Sequence, residues 1–297
     1  MNIKTEINRD DYLDNNNIFS KVWKNLEDVN NYPKRLNKIV IKDFDEFESK
    51  ARSQDSKFAE ETVSSLLNGD CYILKNALKK DYLNFIKEKT YQYFQNSKST
   101  FHKMYEGVPN YYRFIDASIA DNYAFHQVKQ VYYFFPFNPN ELNLFENANK
   151  VWRVTKIISG YNEKIWESNS PKDGIIDRIQ IVRYFPRDAK LKLHTDPYLY
   201  QRFFISCIMS KKGEDYNDGG LYLLDANDNK VDAEVHSDVG DVVFAVPTIY
   251  HGVDPCDLDK IPSAKEKDGR WLLSLYSIMS NYIEDRHTSK PQKLSIK

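Results

Sequence analysis

Three side chains in the second half of the chain have the types and the spacing of metal ligands. His194 and Asp196 are separated by one residue, so on a strand over 190–196 both side chains point to the same side, because side chains alternate between the two faces of a strand. His251 can supply a third ligand from a separate strand. The sequence of residues 197–250 predicts several turns and strands, enough for the chain to cross the sheet and return. Two imidazoles and one carboxylate on one side of a metal leave the opposite positions open, which suits non-haem Fe(II).

The same residues also permit an arrangement without metal. A half-buried histidine that is hydrogen-bonded to an aspartate needs no ion, and a single His-x-Asp motif is common by chance. The context favours the metal site. His251 follows a turn at Gly240-Asp241 and an apolar run over 242–246, and Arg270 opens the next apolar strand, over 270–278.

The order of these motifs resembles that of the Fe(II)/2-oxoglutarate-dependent dioxygenases over residues 175 to 281. In that family a double-stranded β-helix carries His-x-Asp, a distal His and a late basic residue. The resemblance implies that His194, Asp196 and His251 bind Fe(II) and that 2-oxoglutarate and O2 are co-substrates. It implies hydroxylation of an unactivated C–H bond with release of succinate and CO2. Desaturation or cyclisation would use the same ligands, since only the placement of the substrate differs.

Two arginines are candidates for contact with 2-oxoglutarate. A buried carboxylate needs a charged and preferably forked partner, and the resemblance gives this role to Arg270. The chain departs from the family here, because Arg270 lies 270 − 251 = 19 residues after His251, a longer gap than usual, and Leu272 stands where some members have Ser. Arg183 resembles a strand position that some members use for co-substrate or substrate contact. For both arginines a surface ion pair is the alternative.

The periodicity of the chain predicts the architecture. From residue 178 onward about eight strand-length runs follow one another between turns, which predicts a jelly-roll barrel. Apolar residues at helical spacing over 78–94 and 145–158 predict two helices that buttress one sheet. The predicted fold class is therefore α+β, a double-stranded β-helix core with buttressing N-terminal helices. We expect one structural domain with an N-terminal extension (1–35), a helical and mixed support region (36–174), the catalytic core (175–281) and a polar C-terminal tail (282–297).

Residues 101 to 140 are rich in aromatic and turn-forming residues. Such a region could line a substrate pocket, with Arg113 and His126 as polar contacts. The alternative is a hydrophobic seam between helices and barrel, which large aromatic residues form more often than sites.

The composition is that of an ordinary globular protein. In 297 residues, 42 basic side chains nearly balance 43 acidic ones, so no global field favours nucleic acid and none is expected as a partner, although a balanced total can conceal a local basic patch. The small-molecule substrate that we expect follows from the resemblance. The three cysteines are widely spaced without a Cys-x-x-Cys pair, which fits a reducing compartment. No signal peptide or membrane-spanning run is evident, so a soluble cytoplasmic protein is expected. The sequence does not indicate the oligomeric state.

Three functional hypotheses follow. The first is an iron and 2-oxoglutarate oxygenase that acts on a small molecule, such as an amino acid or a biosynthetic intermediate. The second is a peptidyl or protein hydroxylase of the same chemistry, which an open groove would favour. The third is a cupin-like barrel that binds metal without oxidation, or an isomerase, and it predicts no 2-oxoglutarate pocket.

Overall fold

The computed structural model describes residues 8–198, 200–263, 265–284, 286 and 290–291. The described helices are α1 (Ile18–Leu26), α2 (Phe44–Arg52), α3 (Ser56–Leu67), α4 (Lys80–Asn96) and α5 (Leu144–Ile158). The described strands are β1 (Ile39–Asp43), β2 (Cys71–Lys75), β3 (Tyr111–Ile115), β4 (Gln127–Phe134), β5 (Ile175–Tyr184), β6 (Lys190–Thr195), β7 (Phe204–Ile208), β8 (Gly220–Leu224), β9 (Lys230–Asp232), β10 (Val242–Ala245), β11 (His251–Asp254), β12 (Arg270–Met279) and β13 (Lys290–Pro291). No helix in these ranges is long and apolar enough to cross a membrane.

Eight consecutive strands, β5 to β12, form two facing antiparallel layers. One layer has the order β10-β7-β12-β5 and the other the order β6-β11-β8-β9. Numbered along the barrel these orders are 6-3-8-1 and 2-7-4-5, so the chain steps between the two layers as it winds. This is a double-stranded β-helix, the jelly roll predicted from the sequence.

Further strands extend the barrel. Strands β1 and β2 continue the first layer beyond β10, and β2 pairs antiparallel with it. Strand β4 pairs with β5 of the first layer and with β6 of the second, so it links the two layers along one side. The aromatic stretch over 101–140 therefore contributes two strands, β3 and β4, in addition to buried aromatic side chains.

Buried apolar residues form one cluster on the helical side of the barrel and another in its interior. The larger cluster holds residues of the helices together with outward-facing residues of the first layer, such as Ile179, Ile181 and Trp271. The second cluster lies between the two layers and includes Val131, Val182 and other residues from both layers. Alternate residues of β5 thus point to helices or to the barrel interior, as the pleat of a strand requires.

The apolar periodicity over 78–94 and 145–158 predicts two of the five described helices, α4 and α5. Helix α1 belongs to the N-terminal extension and docks on the body, because Phe19 and Trp23 are fully buried. The Trp23 indole N–H donates to the carbonyl of Ile158 at 2.7 Å. Residues 1–7 of the extension, and most of the predicted tail over 282–297, lie outside the described residues.

Candidate metal centre

The three predicted ligands converge at one end of the second layer. His194 lies on β6 and pairs across the sheet with His251, the first residue of β11. Asp196 follows the end of β6, and its two oxygens lie 3.7 Å from the Nε2 atoms of His194 and His251, respectively. One donor atom from each residue lies within 4.8 Å of the others. A single ion can therefore contact all three.

The backbone orients both imidazoles. The Nδ1 atom of His194 lies 2.9 Å from the carbonyl oxygen of Lys192, and that of His251 lies 2.8 Å from the carbonyl of Ile249. A carbonyl oxygen only accepts hydrogen bonds, so each Nδ1 carries the proton and each Nε2 offers its lone pair. Partners of this kind fix the tautomer and ring orientation of metal-binding histidines.

The surroundings keep His194 neutral. Burial lowers the pKa of His194 to about 3, and the neighbouring His251 contributes in the same direction. The ring of Phe125 stacks on His194 at 4.2 Å, and the ring of Phe204 stacks on His251 at 4.6 Å between centroids. A neutral imidazole is the form that binds a metal ion, so this environment favours coordination at physiological pH.

The order of the strands explains why the three ligands meet. The His-x-Asp pair lies at the end of the second barrel strand and the distal histidine opens the seventh, which is the neighbouring strand in the sheet. The two histidines and the aspartate would hold an ion from one side. The chain therefore has a double-stranded β-helix with a His-Asp-His group that is placed to hold one metal ion.

Comparisons with known proteins give the following. No protein family model matches the chain, and no curated protein matches its sequence. Among solved structures, a prolyl-4-hydroxylase of Pseudomonas putida is 13% identical, with 75% of this chain and 98% of that chain covered and a TM-score of 0.45. A 2OG-Fe(II) oxygenase family protein of Caulobacter crescentus is also 13% identical, with 80% of this chain and 86% of that chain covered and a TM-score of 0.47.

A third structure, JOX2 in complex with 2OG, Fe and JA, is 12% identical, with 98% of this chain and 83% of that chain covered and a TM-score of 0.47. At these scores the likenesses add nothing to what the strand order and the ligand geometry establish.

Arg270 lies at the start of β12 and is bound to an acid that the sequence analysis did not single out. Its Nε donates to both carboxylate oxygens of Glu234 at 2.8 Å, and its Nη2 donates to Oε1 at 2.6 Å. Both side chains are almost fully buried, and the ring of Tyr184 lies 5.3 Å from the guanidinium. In the described part of the chain, Arg270 Nη1 is buried without a hydrogen-bond partner. One donor therefore remains for another ligand.

Arg183 points away from the barrel interior. It follows the pleat of β5 to the face opposite Tyr184, and it is completely buried. Its Nη1 donates to Gln130 Oε1 at 2.8 Å, and its Nε donates to the carbonyl of Asp268 at 2.8 Å. Arg183 thus holds the loop before β12 against the outside of the first layer, and its predicted contact with 2-oxoglutarate remains a prediction.

The two predicted substrate contacts lie on or next to β3 and β4, the strands that precede the barrel in the chain. Arg113 is on β3, with its guanidinium 4.5 Å from the centre of the Phe101 ring and 5.3 Å from that of Tyr123. The His126 Nδ1 lies 2.7 Å from Oδ1 of the exposed Asp121. These contacts assign no substrate role to either side chain, so both remain predictions.

Sequence reasoning missed two cations inside the barrel, Lys129 on β4 and Arg178 on β5. A signal for them exists. Lys129 lies two residues before Val131, and Arg178 lies two residues after Ile176. Both apolar residues face the interior, so each cation occupies an inward position in an otherwise apolar strand. A charge on the inward face of a strand is unusual, and this is the signal that the sequence offered.

Proposed function

We propose that this protein is an Fe(II)- and 2-oxoglutarate-dependent oxygenase that oxidises a C–H bond of a small molecule. One observation carries the proposal: donor atoms of His194, Asp196 and His251 lie within 4.8 Å of one another, with both imidazoles oriented by backbone carbonyls. A core hydrogen-bonded pair would not need a second imidazole directed at the same carboxylate. The donor set fits Fe(II), which binds two imidazoles and one carboxylate readily.

The chain's own residues would prepare the site in three ways. His194 and His251 present fixed lone pairs, and Asp196 supplies one negative charge that reduces the charge of the bound ion. Phe125 and Phe204 cover the outer faces of the imidazoles and exclude water from them. When bound, the iron and 2-oxoglutarate supply the oxidising chemistry.

The closure of the site supports a small substrate. The side chains of His194 and His251 are only 3% and 5% exposed, and that of Asp196 is 13% exposed. In addition, β13 pairs with β6 at Thr195 and His194, so a C-terminal segment of the chain crosses beside the metal ligands. A peptide substrate would need an open groove at this place, whereas a small molecule can be enclosed.

Formation of succinate tests the proposal. Protein loaded with Fe(II) is incubated with 2-oxoglutarate, O2 and ascorbate, without any added substrate, and succinate is measured over time; ascorbate supplies the two electrons that reduce the second oxygen atom of O2 when no C–H bond is oxidised. We expect slow formation of succinate that Asp196→Ala abolishes. The matched control is Asp254→Ala, because Asp254 lies on the same strand as His251 but only makes an exposed ion pair with Lys230. Iron-loaded wild type that makes no more succinate than Asp196→Ala would contradict the proposal.

A further inference from the structure

The segment over 197–203, which follows the metal ligand Asp196, has no regular structure in its described residues. The backbone N–H of Asp196 donates to the carbonyl of Pro247 at 3.0 Å, but none of the described residues of the segment takes part in a backbone-to-backbone hydrogen bond. Both ends of the segment adjoin the metal centre, because Asp196 precedes it and Phe204, which stacks on His251, follows it. Side chains must therefore fix its path.

One carboxylate from the N-terminal extension holds this segment at two points. Glu27, the residue at which α1 ends, accepts from the Tyr198 hydroxyl at 2.8 Å and from Arg202 Nη1 at 2.6 Å. Arg202 Nη1 also donates to the Tyr198 hydroxyl at 2.8 Å, so the three polar groups form a closed triangle. Tyr198 lies only two residues after Asp196. Its side chain therefore anchors the backbone close to a metal ligand.

Glu27 is itself held in place and charged. Its carboxylate also accepts from Arg9 Nη2 at 2.8 Å and from the Tyr32 hydroxyl at 3.0 Å, and its side chain is only 7% exposed. Burial opposes ionisation, but the nearby charges of Arg202 and Arg9 outweigh it and lower the pKa of Glu27. A charged acceptor forms stronger hydrogen bonds than a neutral one, so the triangle has a firm centre.

Arg202 fixes the other end of the segment. Its Nε donates to the carbonyl of Ser159 at 3.0 Å, and its guanidinium lies 4.0 Å from the centre of the Trp23 ring on α1. Arg202 is almost completely buried, and a buried guanidinium is costly without its carboxylate. Glu27 is therefore needed to keep Arg202 in this position, one residue before Phe203 and two before Phe204.

The middle of the segment is held by β12 instead. The Tyr200 hydroxyl donates to the carbonyl of Ser277 at 3.1 Å, and the backbone N–H of Ser277 donates to Gln201 Oε1 at 2.7 Å. These contacts do not involve the N-terminal extension. The contribution of Glu27 is thus confined to the two ends of the segment, which are the parts nearest to the metal centre.

We propose that Glu27 is a positioning residue for the metal centre, which holds Asp196 in place through Tyr198 and holds Phe204 against His251 through Arg202. This inference rests on the proposed function, because it assumes that Asp196 and His251 bind a metal ion. Groups that orient the ligands without touching the ion contribute to metal affinity. The N-terminal extension is then a working part of the metal centre, although it lies far from the ligands in sequence.

The test measures binding of Co(II), used in place of iron, by calorimetry, and the stability of each protein by urea denaturation. The variants are Glu27→Gln, Tyr198→Phe and the double variant. Tyr198→Phe keeps the ion pair between Glu27 and Arg202 and removes only the hydroxyl that ties the segment to the carboxylate. The matched control is Glu167→Gln, because Glu167 also accepts two hydrogen bonds from an arginine, Arg153, but this pair links α5 to the turns that follow it.

We expect Glu27→Gln and Tyr198→Phe each to weaken Co(II) binding by about tenfold, whereas Glu167→Gln should keep the wild-type affinity. The loss in the double variant should be smaller than the product of the two single losses, because both changes remove the same hydrogen bond. A Glu27→Gln protein that is less stable than wild type but binds Co(II) equally well would show that the carboxylate only docks the extension, and this would overturn the proposal.

The remaining outcomes are also decisive. If Glu27→Gln does not fold, Tyr198→Phe decides, and wild-type Co(II) affinity in that variant would overturn the proposal. Losses that multiply in the double variant would overturn it too, because Glu27 would then act independently of Tyr198. Wild type that binds no Co(II) would contradict the proposed function and this inference with it, whereas binding that none of the variants alters would contradict this inference alone.

Discussion

Arg270 and Glu234 form a buried ion pair inside the barrel wall, with donor–acceptor distances of 2.6 to 2.8 Å and side-chain exposures of 1% and 3%. The attraction of Arg270 lowers the pKa of Glu234 against the opposing effect of burial, so the carboxylate is ionised. The pair links β12 of the first layer to the residues that follow β9 in the second layer.

Removal of Glu234 should therefore be costly. Glu234→Ala leaves the Arg270 charge buried without its partner, and we expect the free energy of unfolding to fall by about 3 to 5 kcal/mol. Urea denaturation measures this change. The matched control is Asp254→Ala, which removes an exposed partner of Lys230 and should cost less than about 1 kcal/mol. Equal losses in the two variants would show that the buried pair does not stabilise the barrel.

A second prediction concerns Gly252, which follows the ligand His251. A Cβ at this position would lie 2.5 Å from Tyr222 Oη and 2.8 Å from the carbonyl oxygen of Leu191. Because the second contact is with the backbone of β6, Gly252→Ala should push β11 away from β6 and misplace His251 relative to His194. We expect about 1 to 3 kcal/mol of lost stability together with at least tenfold weaker Co(II) binding.

The control for this variant is Gly213→Ala. Gly213 has φ +86°, so alanine is strained there, but its Cβ would meet no atom within 4 Å. Gly213→Ala should lose about 1 kcal/mol of stability and keep its affinity for Co(II). Full Co(II) affinity in Gly252→Ala would contradict the argument that this glycine spaces the ligand strands.

A third prediction concerns pH and the metal-free protein. The pKa of His194 is about 3 in the folded state and about 6.5 in the unfolded state. Below pH 6.5 the unfolded state binds a proton that the folded state does not, so stability falls as the pH falls from about 6.5 towards 3 and is unaffected above that range. From pH 6.5 to 5.5 this group should cost about 1 kcal/mol.

Urea denaturation in the presence of a chelator, with wild type and His194→Gln at both pH values, isolates this contribution. We expect wild type to lose about 1 kcal/mol more than His194→Gln over this interval, because the other titrating groups are common to both proteins. An equal loss would mean that His194 is not kept neutral by its surroundings.

Much of the barrel could be predicted from the sequence. The regular succession of short apolar runs and turns after residue 178 predicts eight strands, and β5 to β12 confirm them. The spacing of His194 and Asp196 places both on one side of a strand, and the structure brings His251 to the same place from the neighbouring strand. These features depend on local periodicity, which a sequence displays directly.

The environment of the arginines could not be predicted in the same way. Glu234 lies in a polar segment of the sequence, and only the closure of the barrel brings it to Arg270, 36 residues later. Arg183 and Tyr184 are adjacent in sequence but point to opposite faces, so the outward direction of Arg183 depends on the register of β5 with its neighbours. The inward direction of Lys129 likewise depends on β4, which the aromatic stretch over 101–140 conceals.

The most direct test of the central claim is an anaerobic titration of metal-free protein, first with Fe(II) and then with 2-oxoglutarate, followed by visible absorption. A keto acid chelated to Fe(II) gives a charge-transfer band, so we expect the band in wild type, its loss in Asp196→Ala and its persistence in Asp254→Ala. Iron binding without any band on addition of 2-oxoglutarate would contradict the claim, and it would leave a metal-binding barrel without this chemistry.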